Sequence, residues 1–370
     1  MALWHGTAST PSLPMVGNPD ARWCRLSCLL KFFESARHDP PVPMRSLVIH
    51  AIGAFSGLGV DAPCTMGCLL TRVSVRSELS LRGGTTMGAA IVYEPKPRGI
   101  NRLLDLALAA LDEVAEVDLP WPLPVILCCP GSDEIACKPD ELLARLCAED
   151  PSLMAAGASQ VFHGGRPNLH KALAAADKVL ASQRWPACVL LAVDSLFDPS
   201  RLMIVDARRG LRSVDRPEGI LPGEAAVALL LGPGDRFRTG PRIVALAAGQ
   251  APAGAQTGVA LATLVDRALS EAGIVANQVT GLAHDMTSAA GIEELNSMMN
   301  RIPLASVTSR SLYAPCETAG ETGASTSLLT LATTAFFLEK GVYQGAGLAI
   351  ASDDSGFRSV AVVTMDGGRR

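Results

Sequence analysis

The stretch Val161–Ser195, VFHGGRPNLHKALAAADKVLASQRWPACVLLAVDS, decides the reading of this chain. It opens with a turn at Gly164 and Gly165. The spacing predicts a helix from Asn168 to Gln183, because Leu169, Ala172, Leu173, Ala176, Val179 and Leu180 recur at i, i+3, i+4 and i+7. Ala174, Ala175 and Ala181 keep its other faces narrow, so neighbours can approach on several sides. Ala187 to Val193 is apolar at every position, which predicts a strand covered on both faces. A glycine turn feeding a buried helix is a good seat for a nucleophile or a bound carbonyl, since the first N–H groups of a helix have no partner within it.

Length and composition allow a large core. The chain has 370 residues, of which 48% are hydrophobic and 18% charged, with 34 glycines and a formal net charge of −4. That composition suits a layered α/β protein and argues against disorder. There is no long basic stripe, so nucleic acid is not an expected partner. The ten cysteines show no repeated CxxC pair. They read as reduced thiols of a cytoplasmic protein, with no metal site and no cofactor. No apolar run is long enough to span a membrane; the nearest, Ala324 to Leu338, is rich in Ser and Thr and reads as a core helix.

Along the chain, residues 1–45 differ from the rest, with several prolines, two of the four tryptophans and no periodicity. They read as an N-terminal extension: either an upstream segment ahead of a natural start at Met44, or a docking arm. Ser46–Ala51 predicts a strand ending in a glycine-punctuated turn over Gly53–Gly59. Thr85–Tyr93 predicts a strand, Asn101–Val117 an amphipathic helix, Pro124–Cys129 a strand and Asp140–Ala148 a short helix. After the central helix and strand, Arg201–Val214 reads as an excursion with turn residues. Strands follow at Ala225–Leu231, Arg242–Ala247 and Val279–His284, with helices at Thr257–Ala272 and Gly291–Asn300. A short strand is expected to end at Ser306–Ser309, followed by a loop carrying APCETAGETG. A helix over Ala324–Lys340 and strands at Gly347–Ser352 and Arg358–Met365 complete the chain. The run from Asn168 to Leu231 matches that from Ala324 to Met365, which implies an internal duplication. The halves are expected at 46–235 and 236–370.

Several segments, in order, resemble the thiolase-like fold and, within it, the β-ketoacyl-ACP synthases (3-oxoacyl-[acyl-carrier-protein] synthases). LVIHAIGAFSGLG resembles the opening strand and turn, and GILPGEAAVALLL the glycine-glutamate strand, with Gly223 and Glu224 at matching positions. RALSEAGIVANQVTGLAHDMTS resembles the approach to the family's first catalytic histidine, which falls on His284. GETGASTSLLTLATTAFFLEKG and SDDSGFRSVAVV resemble the segment after the second histidine and the closing glycine hairpin. The resemblance implies a layered α-β-α-β-α architecture of two duplicated halves with mixed sheets, and a dimer formed through a strand.

The family's chemistry needs a cysteine at the head of the central helix, two histidines and a lysine. Here HGGR, His163–Arg166, stands at the nucleophile, and there is no cysteine between Cys147 and Cys188. Counting back from Gly323 and Ala324 puts Gly320 on the second histidine and Pro315 on the lysine. Asp353, Asp354 and Ser355 replace the phenylalanine and glycine of the hairpin. By resemblance this is a degenerate synthase with a pocket formed by His163, Gly164, Gly165, Gly320, Gly323, Ser355 and Gly356. Such a protein would act as a non-catalytic binding, pairing or accessory subunit, as the chain-length factors do. The expected partners are a second copy, an active synthase, an acyl carrier protein or acyl-CoA, or a secretion system. The alternative is an acyltransferase or thioester hydrolase of altered mechanism that uses His284. Cys316 is a candidate relocated thiol, and Glu224 a structural carboxylate.

Overall fold

Cys188, Leu190 and Ala192 pack on one side of their strand, and Val189, Leu191 and Val193 on the other. That alternation, apolar in both directions, sets the architecture: helices must cover both faces of the sheet. The computed structural model describes residues 45–370 except 81–85, 90–97, 132–137, 167, 235–238, 253–255 and 366–370. Met44–Arg370 forms one compact unit. The sequence expectation for residues 1–45 lies outside the described residues, Arg45 excepted, as does most of that for Thr85–Tyr93.

In chain order, β1 (Leu47–Ser56), α1 (Ala62–Thr71), β2 (Ser77–Ser80), β3 (Thr86–Ala89), α2 (Ile100–Ala115) and β4 (Val125–Cys129) come first. Then come α3 (Pro139–Glu149), β5 (Gln160–His163), α4 (Asn168–Ala181), β6 (Cys188–Ser195), α5 (Pro199–Arg209) and β7 (Glu224–Pro233). The remainder is β8 (Pro241–Gln250), α6 (Val259–Ala272), β9 (Val279–His284), α7 (Ala289–Arg301), β10 (Leu312–Tyr313), α8 (Pro315–Ala319), α9 (Thr326–Glu339), β11 (Ala346–Ser352) and β12 (Phe357–Met365).

Apart from the β2–β3 hairpin, the strands form one mixed sheet in the order β10-β9-β11-β12-β8-β1-β7-β6-β4-β5. From β1 outward the pairings run antiparallel, antiparallel, parallel, parallel. From β8 outward they run the same way. The two series meet in a short contact, Leu47 opposite Ile243 and Val48 opposite Arg242. The duplication is therefore visible in the topology.

The side chains then sort into layers. On β7, Val227, Leu229 and Leu231 join the central core, while Ala226, Ala228 and Leu230 face α2 and α3. On β12, Ala361 and Val363 face the centre, while Val360 and Val362 face α6 and α7. α4 and α9 lie between the two half-sheets, so α9 is buried all round: twelve of its fourteen residues are buried. Its threonines are satisfied locally. Thr330, Thr333 and Thr334 donate to the carbonyls four residues back, at 3.0, 2.7 and 3.0 Å. The layering is α-β-α-β-α.

Four local expectations are corrected. β1 continues to Ser56, paired with Ala225 on β7, so the Gly53–Gly59 turn shrinks to its last residues. The Arg201–Val214 excursion begins as α5. Asp198 caps that helix, accepting from Ser200 N at 2.9 Å, Pro199 starts it and Gly210 ends it. No strand forms at Ser306–Ser309; β10 lies at Leu312–Tyr313, where two residues pair with Leu282 and Ala283. The APCETAGETG loop contains α8, started by Pro315.

Candidate functional site

β5 delivers the chain to the head of α4 through Gly164 and Gly165, with φ of 102° and 88°. Two successive residues in the left-handed region require glycine or incur strain. Asn168 closes the turn: its Nδ2 donates to His163 O at 2.6 Å and to Gly165 O at 3.3 Å. The His163 side chain stays exposed.

Arg166 then turns inward and forms an ion pair with Glu321, which precedes α9. Their side chains are only 11% and 7% exposed. Arg166 Nη1 also donates to Asp285 O at 3.4 Å, just past the end of β9. Ser327 Oγ lies 3.2 Å from Asp285 Oδ2 and 3.4 Å from Arg166 O, within donating range of both. Asp285 Oδ1 accepts from the N and Oγ of Ser352 at 2.7 and 2.8 Å. The head of α4, the start of α9 and the ends of β9 and β11 thus converge on one buried charged cluster.

Burial pushes the Asp285 carboxyl up to about 6, against the pull of Arg166 and the Ser352 hydrogen bonds. Burial works against the Arg166 charge, but the Glu321 and Asp285 carboxylates overcome it and hold the guanidinium firmly protonated. The Cys316 thiol, 4.0 Å from Asp285 O, is pushed well up by burial and then by Glu321. It is a neutral thiol, not the thiolate that nucleophilic chemistry requires. Cys128 and Cys188, both buried in strands, are pushed up to about 12 by burial.

A second polar layer supports the first. Asp194 pairs with Arg201 and accepts from Ser195 N and Ala324 N, both at 2.7 Å. It thereby ties the end of β6 to the start of the α9 segment. Glu224 pairs with Arg102, whose Nε donates at 2.9 Å, and accepts from Ser195 Oγ at 2.9 Å. Buried carboxylates matched in this way hold an arrangement rigid, because leaving either partner alone is costly.

The expected pocket residues separate into different places. Gly164, Gly165, Gly323 and Ser355 line one cavity of 310 Å³ with Arg166, Glu321, Asp353 and Asp354. Gly356 lines an adjoining one of 260 Å³, again with Arg166 on its wall. Gly320 packs on Leu221–Gly223, and the neighbouring Glu321 N donates to Leu221 O at 2.7 Å. His284 is 3% exposed and lines a different cavity, on the side of α1, α7 and β10. Its imidazole is pulled down to about 4 by burial, a contact with the Met286 backbone opposing the shift. Arg166 enters the sequence reading only as the end of HGGR at the nucleophile position, and Glu321, Asp285, Ser327 and Ser352 are given no site role there. A charged residue directly after Gly-Gly, and another between Gly320 and Gly323, were the available signals. Among the described residues no group of three or more His, Cys, Asp or Glu side chains could hold a metal ion.

No family model and no curated protein sequence matches the chain. Solved structures do. The ishigamide ketosynthase/chain length factor superposes with a TM-score of 0.72 at 18% identity, over 87% of this chain and all of that one. The ketosynthase ApeO in complex with its chain length factor ApeC, from Xenorhabdus doucetiae, gives 0.63 at 14%, over 89% and 99%. A type II PKS acyl-carrier protein in complex with its ketosynthase gives 0.67 at 15%, over 87% and 99%. In the described residues no helix is long and apolar enough to cross a membrane. The layering, the repeated strand order and these likenesses agree: the chain has the thiolase-like fold of the ketosynthase and chain-length-factor proteins.

Proposed function

We propose that this protein is a non-catalytic pairing subunit for a ketosynthase-type enzyme. The observation that carries the reading is the Arg166–Glu321 ion pair at the head of the central helix. In the family that the sequence resembles, this is where the acyl-accepting cysteine sits. An arginine locked to a glutamate offers neither a nucleophile nor a free oxyanion site. Losing the nucleophile or its base in a serine protease costs about a millionfold in turnover. Here the cysteine, second histidine and lysine are all read as absent.

The edge of the sheet supports pairing. Among the described residues β5 hydrogen-bonds to β4 on one side and is the last strand of the sheet on the other. An unpaired edge is a template for another strand, and the ketosynthase ApeO is solved with a chain length factor as its partner. The acylating alternative would require His284 to act on a thioester beside Arg166, yet the two residues line different cavities.

Incubation with a panel of acyl-CoA and acyl-carrier thioesters tests the reading. Thiol release and intact mass are followed for the wild type and for His284→Ala. A stable fold with no adduct and no turnover is expected, together with co-purification with a co-expressed ketosynthase. A covalent adduct, or turnover lost in His284→Ala, would replace the pairing role with catalysis.

A further inference from the structure

The cavity that holds His284 carries a charge pattern that the pairing role does not use. Its volume is 470 Å³, within the range of small-ligand pockets. Arg72 and Arg76 follow α1, Arg212 follows α5, Tyr313 comes from β10 and Glu317 from α8, and all line it with His284.

The three arginines have neutral partners. Arg72 Nη2 donates to Ser309 O at 2.5 Å and Leu312 O at 2.9 Å, and its guanidinium lies 5.0 Å from the Tyr313 ring centre. Arg76 Nε donates to Ser74 Oγ at 2.9 Å, and Arg212 Nε to Gly219 O at 3.0 Å. None of the three is ion-paired to a carboxylate among the described residues. Among the described residues Glu317 is the single carboxylate on the wall, so they set three guanidiniums against one negative charge. His284 adds a buried imidazole to the wall.

We propose that this cavity binds a small phosphate monoester. A phosphate monoester carries a charge of about −1.5 to −2 near neutral pH, which matches the wall's excess of two positive charges. A carboxylate would balance only half of it. Guanidinium forks match phosphate oxygens in pairs. Arg76 and Arg212 supply forks with terminal nitrogens left over, Arg72 sets the local field, and the imidazole supplies a neutral polar contact at the buried wall. Leu295 and Tyr313 offer an apolar surface for the body of the ester. This site lies apart from the Arg166–Glu321 cluster, and the inference does not depend on the pairing role.

Calorimetric titration of the full chain with phenyl phosphate, and separately with benzoate, tests it. The side chains to change are Arg76 and Arg212; Arg72 is spared because it ties down two carbonyls of the 309–312 loop. Phenyl phosphate is expected to bind one site. Its affinity should fall at least tenfold in Arg76→Gln and in Arg212→Gln, with circular dichroism unchanged. In the wild type the His284 imidazole NMR signals should move on titration. Failure to bind phenyl phosphate at millimolar concentration would overturn the proposal. So would unchanged affinity in the double variant Arg76→Gln/Arg212→Gln, unmoved His284 signals, or benzoate binding as tightly as phenyl phosphate.

Discussion

Arg166 and Glu321 come from opposite halves of the duplicated fold and meet as a buried ion pair between the two central helices. Glycines make that meeting possible on both sides: Gly164 and Gly165 turn the chain toward α4, and Gly323 turns it toward α9. The pair therefore does two things at once. It fills the head of the central helix, and it fastens one half of the molecule to the other.

Breaking one side of that pair should be costly, and removing both should not be. Glu321→Gln leaves a buried guanidinium beside Asp285 and should lower stability by about 3 kcal/mol. Arg166→Met alone should cost a similar amount. The double variant Arg166→Met/Glu321→Met replaces both charges with apolar groups and should recover most of the loss. Urea denaturation of the four proteins measures this. If the double variant were as unstable as the sum of the singles, the pair would not be an isolated charge unit.

Neighbouring residues should respond to pH in opposite senses. Asp285 is held at about 6 in the folded protein, above its unfolded value of 3.8. The folded state then binds more protons between those values, so this group's contribution to stability falls as pH rises from about 4 to 6. His284 is held at about 4, below its unfolded value of 6.5. There the unfolded state binds more protons, so its contribution is lost as pH falls from 6.5 toward 4. The two slopes oppose each other. Asp285→Asn should expose a steeper rise of the urea midpoint with pH, and His284→Asn a fall. Parallel profiles for the two variants would show that neither group titrates as described.

The sequence made the layers legible because their cause is local. β6 and β7 are apolar at successive positions, and α9 lacks a polar stripe, so burial on every side could be read from residue order alone. α5 reads as a loop because polar and charged residues dominate it, although Leu202 and Val205 mark an apolar face and Asp198, Pro199 and Gly210 mark its ends. The charged cluster was missed for a different reason. Arg166 and Glu321 are 155 positions apart, and Asp285 reaches Ser352 across the parallel pairing of β9 and β11. Each looks like an ordinary loop charge until the fold brings the ends of those strands and helices together. His284 was correctly placed at a strand end, but its alternation along β9 determines which cavity it lines, and no family pattern gives that.

Gly323 should not tolerate a side chain. Its φ is 57°, and an added Cβ would fall on Asp194 Oδ2, the oxygen that accepts from Ala324 N. Gly323→Ala therefore combines backbone strain with a displaced buried carboxylate, and should cost about 3 kcal/mol. Gly341→Ala is the control, since φ there is 71° but nothing lies within 4 Å. It should cost about 1 kcal/mol, the conformational part alone. Thermal denaturation of both variants separates the two contributions, and equal losses would remove Asp194 from the explanation.

The edge of β5 gives the last expectation. Gln160 and His163 are exposed at its ends, with Val161 and Phe162 half-buried between them. If two such edges pair about a two-fold axis, every substitution appears twice in the interface. The double variant Gln160→Glu/His163→Glu then places four added carboxylates along one short ladder, where like charges repel. Sedimentation should show the wild type as a dimer and the variant shifted toward monomer, most strongly at low salt where screening is weakest. An active ketosynthase partner should likewise be captured less well by the variant. Identical sedimentation and capture would place the contact surface elsewhere on the molecule.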